Sequence, residues 1–147
     1  ILLEQEKDNW LNLLEKPFIE NSKCGLTGPV KFSWDCGGIS RMCIAFWLVM
    51  IKREVFEEIG YLDEIFSPGM GEDGDFCIRS EFAGFELYGV PNDVDFNKER
   101  MFNFPIFHIG NGTFGERLDM KNETISKNNK ILAEKYGSSN LLEKSYY

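Results

Sequence analysis

The run CIAFWLVMI, residues 43–51, is apolar at odd and even positions alike. As a strand it has no polar face to give to water, so it needs a covering layer on each side. It is too short to cross a bilayer. Helices packed on both faces of a sheet meet that need, and the flanking sequence predicts them. Val55, Phe56 and Ile59 line one side of a short helix over 52–60, stopped by Gly60.

Asp8 is placed as the N-cap of a helix over 9–21, with Leu11, Leu14 and Phe18 at i, i+3 and i+7 and Pro17 near its end. CGLTGPV (24–30) reads as a short strand and KFSWDCGGISR (31–41) as a loop around Gly37-Gly38. A glycine-broken loop over 61–71 leads into a helix over 72–84 with Ile78, Phe82 and Phe85 recurring along it. ELYGVP (86–91) and FPIFHIG (104–110) read as strands, separated by the polar connection 92–103. The last helix spans 116–136, with Leu118, Ile125, Leu132 and Tyr136 on one side and Gly137 as its stop. Strands and helices alternate, so the class is α/β, a mixed sheet flanked by helices. A length of 147 residues suits one domain, closed by a tail over 138–147.

A net charge of −8 gains nothing from the counterion release that drives nucleic-acid binding, and no basic stripe is present. No transmembrane segment or signal peptide is found. Cys24, Cys36, Cys43 and Cys77 form no C-x-x-C pair and only one histidine accompanies them, which disfavours zinc. Scattered in a chain this long, they read as reduced, buried thiols of a cytoplasmic protein. Asn111-Gly-Thr and Asn122-Glu-Thr fit the glycosylation sequon, which has no meaning in that compartment. The chain starts at Ile1 and enters a helical pattern almost at once, which suggests part of a longer protein.

Three carboxylates crowd the start of the 72–84 helix, in Gly69-Met70-Gly71-Glu72-Asp73-Gly74-Asp75. Acids in a first turn offset the helix dipole by about 0.3–1 kcal/mol each. Asp75 also has Arg79 at i+4, a pairing worth about 0.2–0.5 kcal/mol. One acid satisfies the capping need. Three, behind glycines that let backbone approach a ligand, exceed it and open a functional reading. His108 ends a predicted strand at a glycine-rich lip, which suits a structural role or a metal or substrate contact. Asp93, Asp95 and Asn97 mimic the start of a calcium loop, but Lys98 and Phe104 stand where the glycine and glutamate are needed. Phe46 and Trp47 read as core, whereas Trp10 and Trp34 are open to a surface role.

The block CIAFWLVMIKREVFEEIGYLDEIFSPGMGEDGDFCIRSEFAGFELYGVP, followed by FPIFHIGNGT, resembles the second half of family 2 glycosyltransferases, nucleotide-sugar-dependent enzymes of the A-type glycosyltransferase fold. DNWLNLLEKPFIENSKCGLTGPV is similar to the helix and strand that follow their Asp-X-Asp metal motif, and NNKILAEKYG to a closing helix. The resemblance covers 8–137 and is most specific over 51–91, where K-R-E-V-F, the G-Y-L-D-E turn, E-D-x-D and A-G-F follow in one order.

The resemblance implies a partial A-type glycosyltransferase fold whose nucleotide-binding half is missing. It implies inverting transfer of a sugar from a nucleotide-sugar donor to a hydroxyl of a carbohydrate or glycolipid acceptor, in glycan or polysaccharide biosynthesis. Asp73 would be the catalytic base. Glu72, Asp75, Gly69 and Gly71 would meet the acceptor, and His108 matches a place where some relatives hold a metal ligand. Mn²⁺ or Mg²⁺ is expected in the full-length enzyme, held by the Asp-X-Asp of the missing half, so the 147 residues alone are expected to be inactive. His108 is expected near the carboxylates. The uncovered sheet is expected to pair with a second copy, giving a homo-oligomer. Two other readings remain: a carbohydrate-binding or assembly module that kept the fold and lost the chemistry, and an acidic interaction domain with no sugar role.

Overall fold

Two glycines set the centre of the sheet. In β1 (Cys24–Gly28) every residue is buried. A Cβ on Gly25 would fall 2.6 Å from Phe85 Cβ, and one on Gly28 would fall 2.4 Å from Ile44 Cγ2. Only glycine lets the neighbouring layers close this far. The structure, a computed structural model, describes residues 10–36, 38, 40–90, 104, 106, 108, 115 and 117–137. β1 pairs antiparallel with β4 (Met50–Ile51) and parallel with β5 (Glu86–Gly89), a mixed sheet in the order β4-β1-β5. Leu26 joins a core with Val55, Phe76 and Cys77. Its neighbour Thr27 instead donates to the Leu14 carbonyl of α1 (Trp10–Glu20) at 2.8 Å. The strand covered on both faces is therefore β1.

The run 43–51 is not one strand. Cys43 and Ile44 end β3 (Ser40–Ile44), residues 45–49 turn, and Met50 and Ile51 form β4. Its apolar residues serve two cores: Phe46, Val49 and Ile51 pack against the Leu26 cluster, while Leu48 and Met50 pack around Leu14, Val90 and Phe104. A chain that turns between two cores needs apolar groups in every direction, which imitates a doubly buried strand. Packed in this way within the chain, the run no longer supplies a reason to expect a second copy on it.

The predicted loop over 31–41 is a hairpin of β2 (Lys31–Asp35) and β3, in register from Lys31 with Ile44 to Asp35 with Ser40. Its cause is legible in hindsight. Phe32 and Trp34 are two apart on one face, with ring centroids 5.7 Å apart, and Gly38 turns the chain at φ +87°. Asp35 accepts from the Gly38 amide at 3.0 Å and closes that turn.

α2 (Arg53–Ile59) ends at Gly60, at φ +76°. α3 (Glu72–Phe82) and α4 (Leu118–Tyr136) follow their predicted spans closely, but their buried faces differ. Phe82 and Leu118 are exposed, as is Leu11 on α1. The inner face of α4 is Thr124, Asn128, Leu132 and Tyr136, four residues apart throughout, and two of these are polar. Apolar periodicity therefore finds Leu132 and Tyr136 but misses Thr124 and Asn128 on the same face. All four cysteines are free and buried, and burial pushes the Cys24 and Cys36 thiols up to about 11, so they are unreactive. No helix among the described residues is long and apolar enough to cross a membrane. Asp8, the connection 92–103 with its calcium-like Asp93, Asp95 and Asn97, and the tail lie outside the described residues, as does most of the predicted strand 104–110.

Candidate functional site

The chain enters α3 through three residues at positive φ: Gly69 at 140°, Met70 at 69° and Gly71 at 141°. The left-handed φ of Met70 is unusual for a bulky side chain and needs support from its surroundings. Asn128 on α4 provides it. Its side-chain amide donates to the carbonyls of Phe66 at 3.1 Å, Gly69 at 2.8 Å and Met70 at 3.1 Å. A Cβ on Gly71 would meet Phe66 at 3.1 Å and Asn128 at 3.3 Å. Gly71 is thus enclosed by protein, and its role is to let the loop pack.

From this start the three carboxylates part company. Asp75 is fully buried. Its Oδ2 accepts from Arg79 Nε at 2.8 Å, and its Oδ1 accepts from Lys135 Nζ and Tyr136 OH, each at 2.5 Å. Lys135 reaches Asp63 as well, at 3.0 Å, and Arg79 donates to the carbonyls of Ile59 and Tyr61. Burial alone would lower the Lys135 ammonium, but its hydrogen bonds to Asp75 and Asp63 outweigh that and raise it. The i, i+4 pair expected from spacing is present. The acceptor contact expected of Asp75 does not fit a carboxylate sealed from solvent on this side of α3.

Glu72 and Asp73 instead line a cleft of about 470 Å³. Its opposite wall is β2, with Phe32, Ser33, Trp34 and Asp35, and Met70 and Ile125 complete it. Trp34 lies over the first turn of α3, its ring atoms 3.5–3.7 Å from where a Cβ on Gly74 would sit. Glu72 Oε2 is buried and has no hydrogen-bond partner among the described residues. A Cβ on Gly69 would be 3.9 Å from both Glu72 oxygens, so the loop passes directly beside that carboxylate.

The Asp73 carboxyl is raised to about 6, first by burial and then by the charge of Glu72 beside it. The amides of Gly74, Asp73 itself and Phe46 pull the other way and lose. The Gly74 amide is 2.8 Å from Asp73 Oδ1. Helix-end amides favour the ionised form of a carboxylate. Here they only limit an upward shift. The sign for stability follows. Folded Asp73 holds its proton more tightly than the unfolded chain does, so its contribution is complete below about pH 4 and is lost as the pH rises to about 6. Asp73→Asn should therefore be more stable than the parent at pH 7, by up to about 3 kcal/mol, with the gap opening between pH 4 and 6. Melting temperatures of the two proteins across that range test this. A variant less stable than the parent at pH 7 would show that the amides win.

His108 is half-buried and stacks on Trp47, with ring centroids 4.9 Å apart and planes 9° from parallel. Trp47 follows Phe46, whose amide reaches Asp73, so His108 is linked to the carboxylate through one step of chain. Among the described residues no group of three or more His, Cys, Asp and Glu could hold a metal ion. His108 and the carboxylates do not form one. A larger cleft of about 780 Å³ lies against β5, bounded by Lys31, Glu81 and Glu86, and contains none of the predicted site residues.

No family model, curated protein or solved structure matches the chain. Sequence reasoning missed the β2 wall and Asn128. The first had a signal in the alternation of Phe32 and Trp34 before a Gly-Gly pair. The second had none, because a polar residue on the inner face of a helix looks like a surface position.

Proposed function

We propose that this chain is the acceptor side of an inverting glycosyltransferase of the A-type fold, with Asp73 as the catalytic base. The observation that supports this best is the setting of Asp73: a carboxyl raised to about 6, in the first turn of α3, lining a cleft shared with Glu72 and an aromatic wall. A base of that strength is mostly ionised at neutral pH, yet binds a proton more firmly than an ordinary aspartate does. On this reading the acceptor hydroxyl gives its proton to Asp73 as its oxygen bonds to the anomeric carbon of the donor sugar. The bond from that carbon to the nucleoside diphosphate breaks on the opposite face, which inverts the configuration. Glu72, with an oxygen that lacks a donor among the described residues, would hold a second acceptor hydroxyl.

The donor side would be formed by residues beyond these, and Mn²⁺ or Mg²⁺, if used, would be held there to neutralise the leaving diphosphate. His108 is kept as a candidate contact to that side. Calorimetry of the 147-residue chain with a panel of nucleotide-sugars and Mn²⁺ tests this division. Weak or absent binding is expected, together with transfer by the full-length protein. Micromolar binding by the chain alone would overturn the assignment to the acceptor side.

A further inference from the structure

We propose that the acceptor is a neutral sugar whose ring lies against Trp34, with its hydroxyls donating to Glu72, Asp73 and Asp35. The inference rests on the transferase reading and names the substrate class of its cleft. The cleft combines two chemistries that few ligands match together. One wall is aromatic: Trp34 is half-buried, supported by Phe32 at 5.7 Å and seated over Gly74, so its ring is held in place before any ligand arrives. A pyranose has a face of C–H groups that packs on such a ring, with its hydroxyls pointing outwards around the edge.

The other side is rich in hydrogen-bond acceptors. Glu72 and Asp73 offer carboxylate oxygens, one of them buried without a partner among the described residues, and Asp35 adds a third acid at the rim. A buried acceptor without a donor is costly and calls for an O–H or N–H from the ligand. Among the described residues lining this cleft there is no lysine or arginine. The α3 N-terminus supplies about half a positive charge, which three carboxylates outweigh. An anionic ring, such as a uronic acid or a sugar phosphate, would meet repulsion here. The cleft volume of about 470 Å³ falls within the about 300–1,000 Å³ usual for small-molecule sites.

Saturation-transfer NMR on the chain, with methyl β-glycosides of glucose, galactose and N-acetylglucosamine and the matching methyl β-glucuronide, tests this without any donor. At least one neutral glycoside should bind, and the glucuronide should bind about tenfold more weakly than its glucoside partner at pH 7. Trp34→Ala should weaken the neutral ligand by about tenfold, and Trp34→Phe should recover most of that loss. Asp35→Asn, at an exposed position, should narrow the gap between glucoside and glucuronide. The proposal is overturned if no neutral glycoside binds, if the glucuronide binds as well as the glucoside, or if folded Trp34→Ala binds unchanged. Failure of the transferase reading looks different. A protein that binds neutral glycosides through Trp34 but transfers no sugar at full length loses the enzyme and keeps the pocket. Full-length transfer with a KM untouched by Trp34→Ala keeps the enzyme and loses the pocket.

Discussion

On the transferase reading, Asp73→Asn is expected to lower the turnover of the full-length protein by about 10²- to 10⁴-fold, the range for loss of a general base. The substitution keeps the shape of the side chain and an oxygen for the Gly74 amide, but removes the group that takes the acceptor proton. Because the parent carboxyl is raised to about 6 by burial and by Glu72, the variant should also melt higher at neutral pH. Lower activity with higher stability separates a catalytic loss from an unfolding one. The parent rate should climb as the pH rises through about 6 and level above it, and the residual activity of the variant should lack that rise. Steady-state turnover between pH 5 and 8 would decide it. Near-parent turnover in the variant would remove Asp73 from the role of base.

Asp75→Ala, two residues on, should do the reverse. Its carboxylate is fully buried between Arg79, Lys135 and Tyr136, and its loss strands two cations in a partly closed space. Breaking a buried pair by removing one partner costs about 3–5 kcal/mol, a large share of the about 5–15 kcal/mol that holds a domain folded. The midpoint of urea unfolding should fall accordingly. Asp75→Ala with Lys135→Met should cost less than the sum of the two single changes, since the second removes the stranded ammonium. A loss below about 1 kcal/mol would mean that the network behaves as an ordinary surface cluster.

The sequence predicts the helices well because caps and stops mark them: Gly60 and Gly84 close helices at positive φ, and Pro17 sits late in α1 without breaking it. It predicts the acidic turn as special, yet cannot say which acid faces which way. Spacing assigns Asp75 to Arg79, while the sealing of Asp75 depends on Lys135 and Tyr136, about 60 residues away. The cleft depends on the same kind of distant meeting. Trp34, read as part of a loop, reaches α3 only because β2 folds back on β3. The run 43–51 misleads for a related reason, since hydrophobicity records that a residue is covered and not by which of two cores.

The clamp of Asn128 on the loop before α3 has a consequence for the order in which the molecule forms. The hairpin and the neighbouring helices are built from residues close together in the chain, whereas the bond from Asn128 to the Phe66 carbonyl spans 62 positions. Closing so long a loop is entropically expensive and is recovered only when α4 docks. During synthesis the ribosome would release β1, the hairpin and α3 well before α4 exists. Met70 would then lack the hydrogen bond from Asn128, and the cleft would lack the edge that Ile125 gives it. The cleft is therefore among the last parts of this polypeptide to mature, and a nascent chain cut short of α4 would carry Asp73 without the edge that Ile125 gives its cleft.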